Sequence, residues 1–137
     1  MPTNFIDMRN LALLSIVLIL ASCAASPSPQ QLAAADYGPM PADYQAMIKK
    51  FVDERLRDPA AGATYDFYKP LTKSWYGFSG VGQYGWATCV TVNAKNGYGG
   101  MTGPLPSYFF IRDGLIIQAA HSDVDGAAKV TELCSTI

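Results

Sequence analysis

The spacing of apolar residues changes once along this chain, near Ala63, and that change constrains the fold more than any other feature. From Asp43 to Arg57, the residues Tyr44, Met47, Ile48, Phe51, Val52 and Leu56 recur at steps of three and four. Lys49, Lys50, Asp53, Glu54 and Arg57 fill the positions between, which is the pattern of an amphipathic helix. Asp58-Pro59 ends it, because the residue before a proline is driven out of the helical region. The polar face mixes both signs of charge, so the helix is expected to cover a sheet and not to lie on a membrane.

From Ala63 onward the period is two. Thr64–Tyr68, Trp75–Phe78, Tyr84–Asn93, Ser107–Arg112 and Leu115–His121 are rich in aromatic and β-branched residues and are expected as strands. In the third, Trp86, Thr88, Val90 and Val92 share one face, with Ala87, Cys89 and Thr91 on the other. Arg112-Asp113-Gly114-Leu115 predicts a two-residue type I′ hairpin, since both central residues tolerate positive φ. Asp123 to about Cys134 predicts a short helix capped by Ser122 or Asp123, with Val124, Ala127, Ala128, Thr131 and Cys134 turned inward. The expected class is α+β: an N-terminal amphipathic helix, an antiparallel sheet of four to five strands, and a short C-terminal helix.

Composition removes several functions. Ten Lys and Arg against eleven Asp and Glu leave a net charge of -1, which argues against nucleic acid as the partner. A hydrophobic share of 50% in 137 residues supports one core and no second domain. One His and three Cys cannot form a closed Cys/His metal site without carboxylates, and neither metal nor cofactor is expected.

The N-terminus indicates an address. Leu11 to Leu20 is an apolar run of ten interrupted only by Ser15, too short to span a bilayer and the right length for the apolar region of a signal peptide. Leu20-Ala21-Ser22-Cys23 follows it directly and resembles the lipobox of bacterial lipoproteins. That resemblance implies a diacylglyceryl group on the Cys23 thiol, cleavage just before Cys23, and usually a further acyl chain such as palmitate on the new amino group. Two or three acyl chains make a stable anchor where one does not. Ala24 in place of Asp after the cysteine implies the outer membrane. The alternative is plain secretion, with ordinary cleavage after Ala24. The expected organisation is a signal peptide over 1–22, a lipidated Cys23 with a flexible Pro/Ala/Ser linker over 23–41, and one globular domain over 42–137. Pro27, Pro29, Pro39 and Pro41 favour extended chain in that linker, with docking of Tyr37 to Met40 on the domain as the alternative.

The remaining motifs carry less chemistry than their letters suggest. Gly80-Val81-Gly82-Gln83-Tyr84-Gly85 matches a dinucleotide fingerprint, but a strand pattern follows it and no ribose-binding acid does. A loop or hairpin is expected there. With Cys23 lipidated, Cys89 and Cys134 are the thiols left in an oxidising compartment, so a single disulfide is expected, the alternative being two buried free thiols. His121 stands beside Ser122, Asp123 and Asp125, and a hydrolase around it is the least favoured function.

Between Phe67 and Arg112 there is no Asp or Glu, which excludes a carboxylate pair from that stretch. Instead Asn93, Lys95, Asn96, Tyr98 and Thr102 sit among glycines, a set suited to recognising a polar or anionic group. The alternative is a strand connection held by its own side-chain bonds. Cys89-x-x-x-Asn93-Ala94-Lys95-Asn96-x-Tyr98-Gly99-Gly100-x-Thr102-Gly103 resembles a signature of a family of small bacterial envelope proteins and lipoproteins without an assigned activity. The resemblance implies a shared fold and no reaction. The expected protein is not an enzyme. It is a lipid-anchored envelope component facing the periplasm, attached to the membrane through Cys23 and acting in interaction or assembly with an envelope protein or cell-wall component. A small periplasmic binding module for a cell-wall glycan or another polar ligand, with Trp75, Tyr76, Tyr84, Trp86 and Tyr98 as stacking surfaces, is the runner-up.

Overall fold

A computed structural model describes residues 26–78, 81–95 and 98–137. The expected signal peptide, Cys23 and Asn96 lie outside them. Four strands form one antiparallel sheet in sequence order: β1 (Ala63–Phe78), β2 (Val81–Ala94), β3 (Leu105–Arg112) and β4 (Leu115–His121). Among the described residues three α-helices accompany it: α1 (Pro29–Ala34), α2 (Tyr44–Asp53) and α3 (Ala127–Ser135). The fold is α+β.

A helix lies on each face of the sheet, so the core is in two parts. On one face Ile48 and Val52 of α2 meet Val90, Val92, Phe109 and Ile111. On the other, Val130 and Cys134 of α3 meet Ala87, Cys89, Tyr108, Phe110 and Ala120. Successive residues of a strand point to opposite faces, so a strand covered on both sides has no polar positions to spare. β3 shows this directly, with Ser107, Tyr108, Phe109, Phe110 and Ile111 all buried. Burying one such Phe or Ile side chain contributes about 1.5–3 kcal/mol. Burial pushes the Tyr108 hydroxyl up to about 12, only partly countered by its hydrogen bond with Ser74.

Two strands expected on either side of Lys69-Pro70 are one. β1 runs unbroken for 16 residues and bends at two irregularities, between Asp66 and Lys69 and between Lys69 and Thr72. Pro70 is tolerated because β1 is an edge strand, where a missing N–H breaks no ladder. The buried Thr88 of β2 donates its hydroxyl to the Lys69 carbonyl at 2.6 Å and so anchors the bend. The β3–β4 hairpin turns on Asp113 (φ 51°) and Gly114 (φ 73°), both left-handed as a type I′ turn requires.

The C-terminal helix starts later than its sequence suggests. Ser122–Gly126 forms a π-helical turn, Gly126 (φ 93°) precedes the helix, and neither Ser122 nor Asp123 caps it. Asp125 instead accepts the backbone N–H of His121 at 2.8 Å. That extra turn rotates the inward face to Val130 and Cys134 and leaves Val124 78% exposed, against the expected burial. Cys89 and Cys134 form a disulfide that joins α3 to β2.

The segment expected as a leash is ordered from Ser26. Ser28 accepts from the Gln31 N–H, and the Gln31 side chain accepts from the Ser28 N–H, a reciprocal cap that starts α1 with Pro29 in its first turn. Tyr37 then stands edge-on to Tyr84 at 5.6 Å. Trp86 donates its indole N–H to the Gly38 carbonyl at 3.2 Å. Arg112 pairs with Asp36 at 3.1 Å, and it donates to the backbone carbonyls of Asp36 and Tyr84. Residues 26–41 are thus a strap across one end of the sheet, not a free linker.

Candidate functional site

A cleft of about 230 Å³ opens at the other end of the sheet from the strap. Phe51, Val52, Arg55 and Leu56, at and just beyond the end of α2, form one wall. Val92, Ala94 and Leu105 form an apolar floor, and Asp123 with Val124 closes the side. Lys95, Thr102, Ser107 and His121 supply its remaining polar groups.

Each of these side chains is placed by a local cause. Arg55 follows the end of α2, stacks its guanidinium 3.5 Å above the Phe51 ring, and donates to the Phe51 carbonyl at 2.8 Å. A cation there satisfies a carbonyl that the helix end leaves without an intrahelical donor. Thr102 clamps the base of the 95–101 loop: its N–H donates to the Ala94 carbonyl at 2.7 Å, and its hydroxyl oxygen accepts from the Ala94 N–H at 3.2 Å. Lys95 pairs with Met101 across that base and is exposed, with no ion pair among the described residues. Gly99 (φ 85°) in the loop and Gly103 (φ 81°) just after its base are left-handed.

His121 ends β4 directly opposite Ser107 of β3. Its Nδ1 lies 2.9 Å from the Ser107 Oγ, and its ring stands edge-on to Phe109 at 5.7 Å. Ser107 also donates to the Leu105 carbonyl at 3.2 Å, so its one proton is used there when the imidazole Nδ1–H donates to it. A serine nucleophile needs its oxygen open to substrate, and Ser107 is 0% exposed. Asp125 bonds the His121 backbone and not its ring. The pair therefore orients the imidazole in the cleft and does not present a nucleophile.

Of the residues expected to form a recognition loop, the structure brings Lys95 and Thr102 into this cleft with His121. Asn93 points away from it, because Val92 and Ala94 line the cleft and the residue between them faces the opposite side. Its Oδ1 is buried without a hydrogen-bond partner. Tyr98 is 96% exposed beyond the cleft. Arg55 and Ser107 were not apparent as site residues. The one local signal for Arg55 is an aromatic residue four positions before it.

The five aromatics considered as a stacking surface do not form one. Tyr84 and Trp86 meet the strap, and Lys73 sits 5.2 Å from the Tyr37 ring centre. Tyr76 packs on the α3 face near Phe110, with 5.9 Å between ring centres. Trp75 lies over the paired glycines Gly77 and Gly82, where a Cβ would collide with its indole. Gly82 and Gly85 of the string lie in β2, which pairs antiparallel with β1 as a hairpin, and Gly82 helps to seat the indole.

Among the described residues, no group of three or more His, Cys, Asp or Glu is placed to hold a metal ion, and no helix is long and apolar enough to cross a membrane. No protein-family model, curated protein or solved structure matches the chain.

Proposed function

We propose that this protein is a lipid-anchored cell-envelope component, held on the outer membrane through Cys23 and facing the periplasm, that takes part in interaction or assembly by recognising an envelope partner in the cleft. The observation that carries the recognition reading is that Lys95, Arg55 and His121 all line one cleft with an apolar floor. Two cations face one carboxylate, Asp123, so the cleft favours an anionic group attached to an apolar one. The anchoring reading rests on the Leu20-Ala21-Ser22-Cys23 lipobox and the short apolar run before it.

A small-ligand binding module is the second reading, favoured by an apolar floor edged by a few polar groups. Sugar stacking on Tyr84 and Trp86 has no support, because the strap contacts both rings. A hydrolytic role for His121 has none from the buried Ser107.

The test places a photo-crosslinking residue at Val124, in the cleft wall, and at Leu115, exposed at the far end of the sheet. A specific adduct from Val124 alone, lost when Lys95 is also replaced by Ala, is expected. Equal adducts from both positions would remove the cleft reading. Mass spectrometry of the N-terminal peptide is expected to find acyl chains on Cys23, and an unmodified N-terminus at Ala25 would end the anchoring reading.

A further inference from the structure

From the strap we infer that the anchored domain stands on the bilayer with its strap end down and its cleft directed away from the lipid. This rests on the acylation of Cys23 proposed above. Ser26 is already placed against the domain: with Pro27 and Leu32 it lines a hollow whose other walls include Trp75 of β1 and Leu133 of α3. Only three residue steps separate Cys23 from Ser26. Fully extended, they reach about 10 Å. A free 18-residue leash would have let the domain turn in any direction at a coil-like reach of about 20–25 Å. The strap shortens that reach to the three steps before Ser26 and so keeps the strap end nearest the lipid.

The strap is a built contact and not a chance lie of chain. It is held by the Arg112–Asp36 ion pair, the Trp86 indole bonded to Gly38, the Tyr37–Tyr84 ring contact and the capped turn of α1. Its receiving residues all come from the same end of the sheet: the end of β1, the start of β2 and the end of β3. The cleft is built from the opposite end of β2 and β3 and from the end of β4. From Tyr84, under Tyr37, to Ala94, in the cleft floor, β2 advances ten residues, or about 33 Å. The strap contacts and the cleft are therefore at opposite poles. The partner of the cleft is accordingly a component reaching in from the aqueous space or the wall side, and a headgroup of the anchoring leaflet is out of range.

The test uses the acylated protein in phospholipid vesicles carrying a headgroup energy-transfer acceptor. Donor dyes are attached at Ala33→Cys in α1 and, separately, at Met101→Cys beside the cleft, with the disulfide left intact. Energy transfer at position 33 is expected to exceed that at position 101 several-fold. A flexible ten-residue Gly/Ser insert between Ala25 and Ser26 is expected to abolish most of that difference. Equal transfer at both positions in protein whose Cys23 carries acyl chains would overturn the orientation alone. Absence of acyl chains from Cys23 would overturn the anchoring reading and the orientation with it.

Discussion

At the scale of single residues, Arg112 has the widest reach. It ends β3, bonds the carbonyl of Tyr84 in the neighbouring strand, and pairs with Asp36 across 76 positions of sequence. The Asp36 carboxyl is held below the usual carboxylate range by the Gly38 N–H and, after it, by Arg112. A lowered value in the folded state means that the strap contact is complete above the ordinary carboxylate range and is lost as pH falls through the folded value. Protection of the Gly38 amide against hydrogen exchange, taken relative to its intrinsic rate, should therefore fall as pH drops below the ordinary carboxylate range, and Asp36→Asn should remove that dependence. Gly85 offers a second test. A Cβ there meets the Ile111 carbonyl oxygen and the Phe110 ring in a buried strand, whereas at Gly82 it meets only the partly exposed Trp75 indole. Gly85→Ala is expected to cost about 1–3 kcal/mol in denaturant unfolding and Gly82→Ala less. Equal costs would show that the backbone contact at Gly85 relaxes freely.

At the scale of elements, what could be read from sequence was what local spacing controls. The change of period at Ala63, the Asp113-Gly114 turn and the alternation of Val90 and Val92 against Cys89 are all local, and all appear in the fold. Elements that depend on a distant partner were misjudged. β1 continues through Pro70 as an edge strand whose bend is secured by Thr88, 19 positions from Lys69. The strap had one readable signal, Ser28 followed three residues later by Gln31, but its docking is decided by residues up to 76 positions away. The C-terminal turn was misread because Asp125 binds the His121 N–H, which takes the place of a helix cap at Ser122. The disulfide belongs to this scale too. It closes a separation of 45 residues, for which the chain-entropy estimate is about 4 kcal/mol. Replacing both Cys89 and Cys134 by Ala should lower unfolding stability by up to that amount, measured in denaturant. No loss at all would mean that α3 is held by Val130 and its neighbours without the bond.

For the whole molecule, the sheet separates two tasks. One end receives the strap, and the other gathers Arg55, Lys95 and His121 from elements that sequence spacing cannot bring together. Lys95 was legible as a lone cation in a stretch without carboxylates; its neighbours in space were not, because Arg55 lies 40 positions before it and His121 26 after. The central claim is that this cleft recognises an envelope partner. The most direct measurement is co-purification of the anchored protein from solubilised envelopes, wild type against Lys95→Ala, with thermal unfolding of both. Lys95 is exposed and makes no ion pair among the described residues, so its loss should change stability by less than about 0.5 kcal/mol. The account predicts a nearly unchanged melting temperature with a clear fall in partner yield. The same partners at the same yield from the Lys95→Ala protein would contradict it.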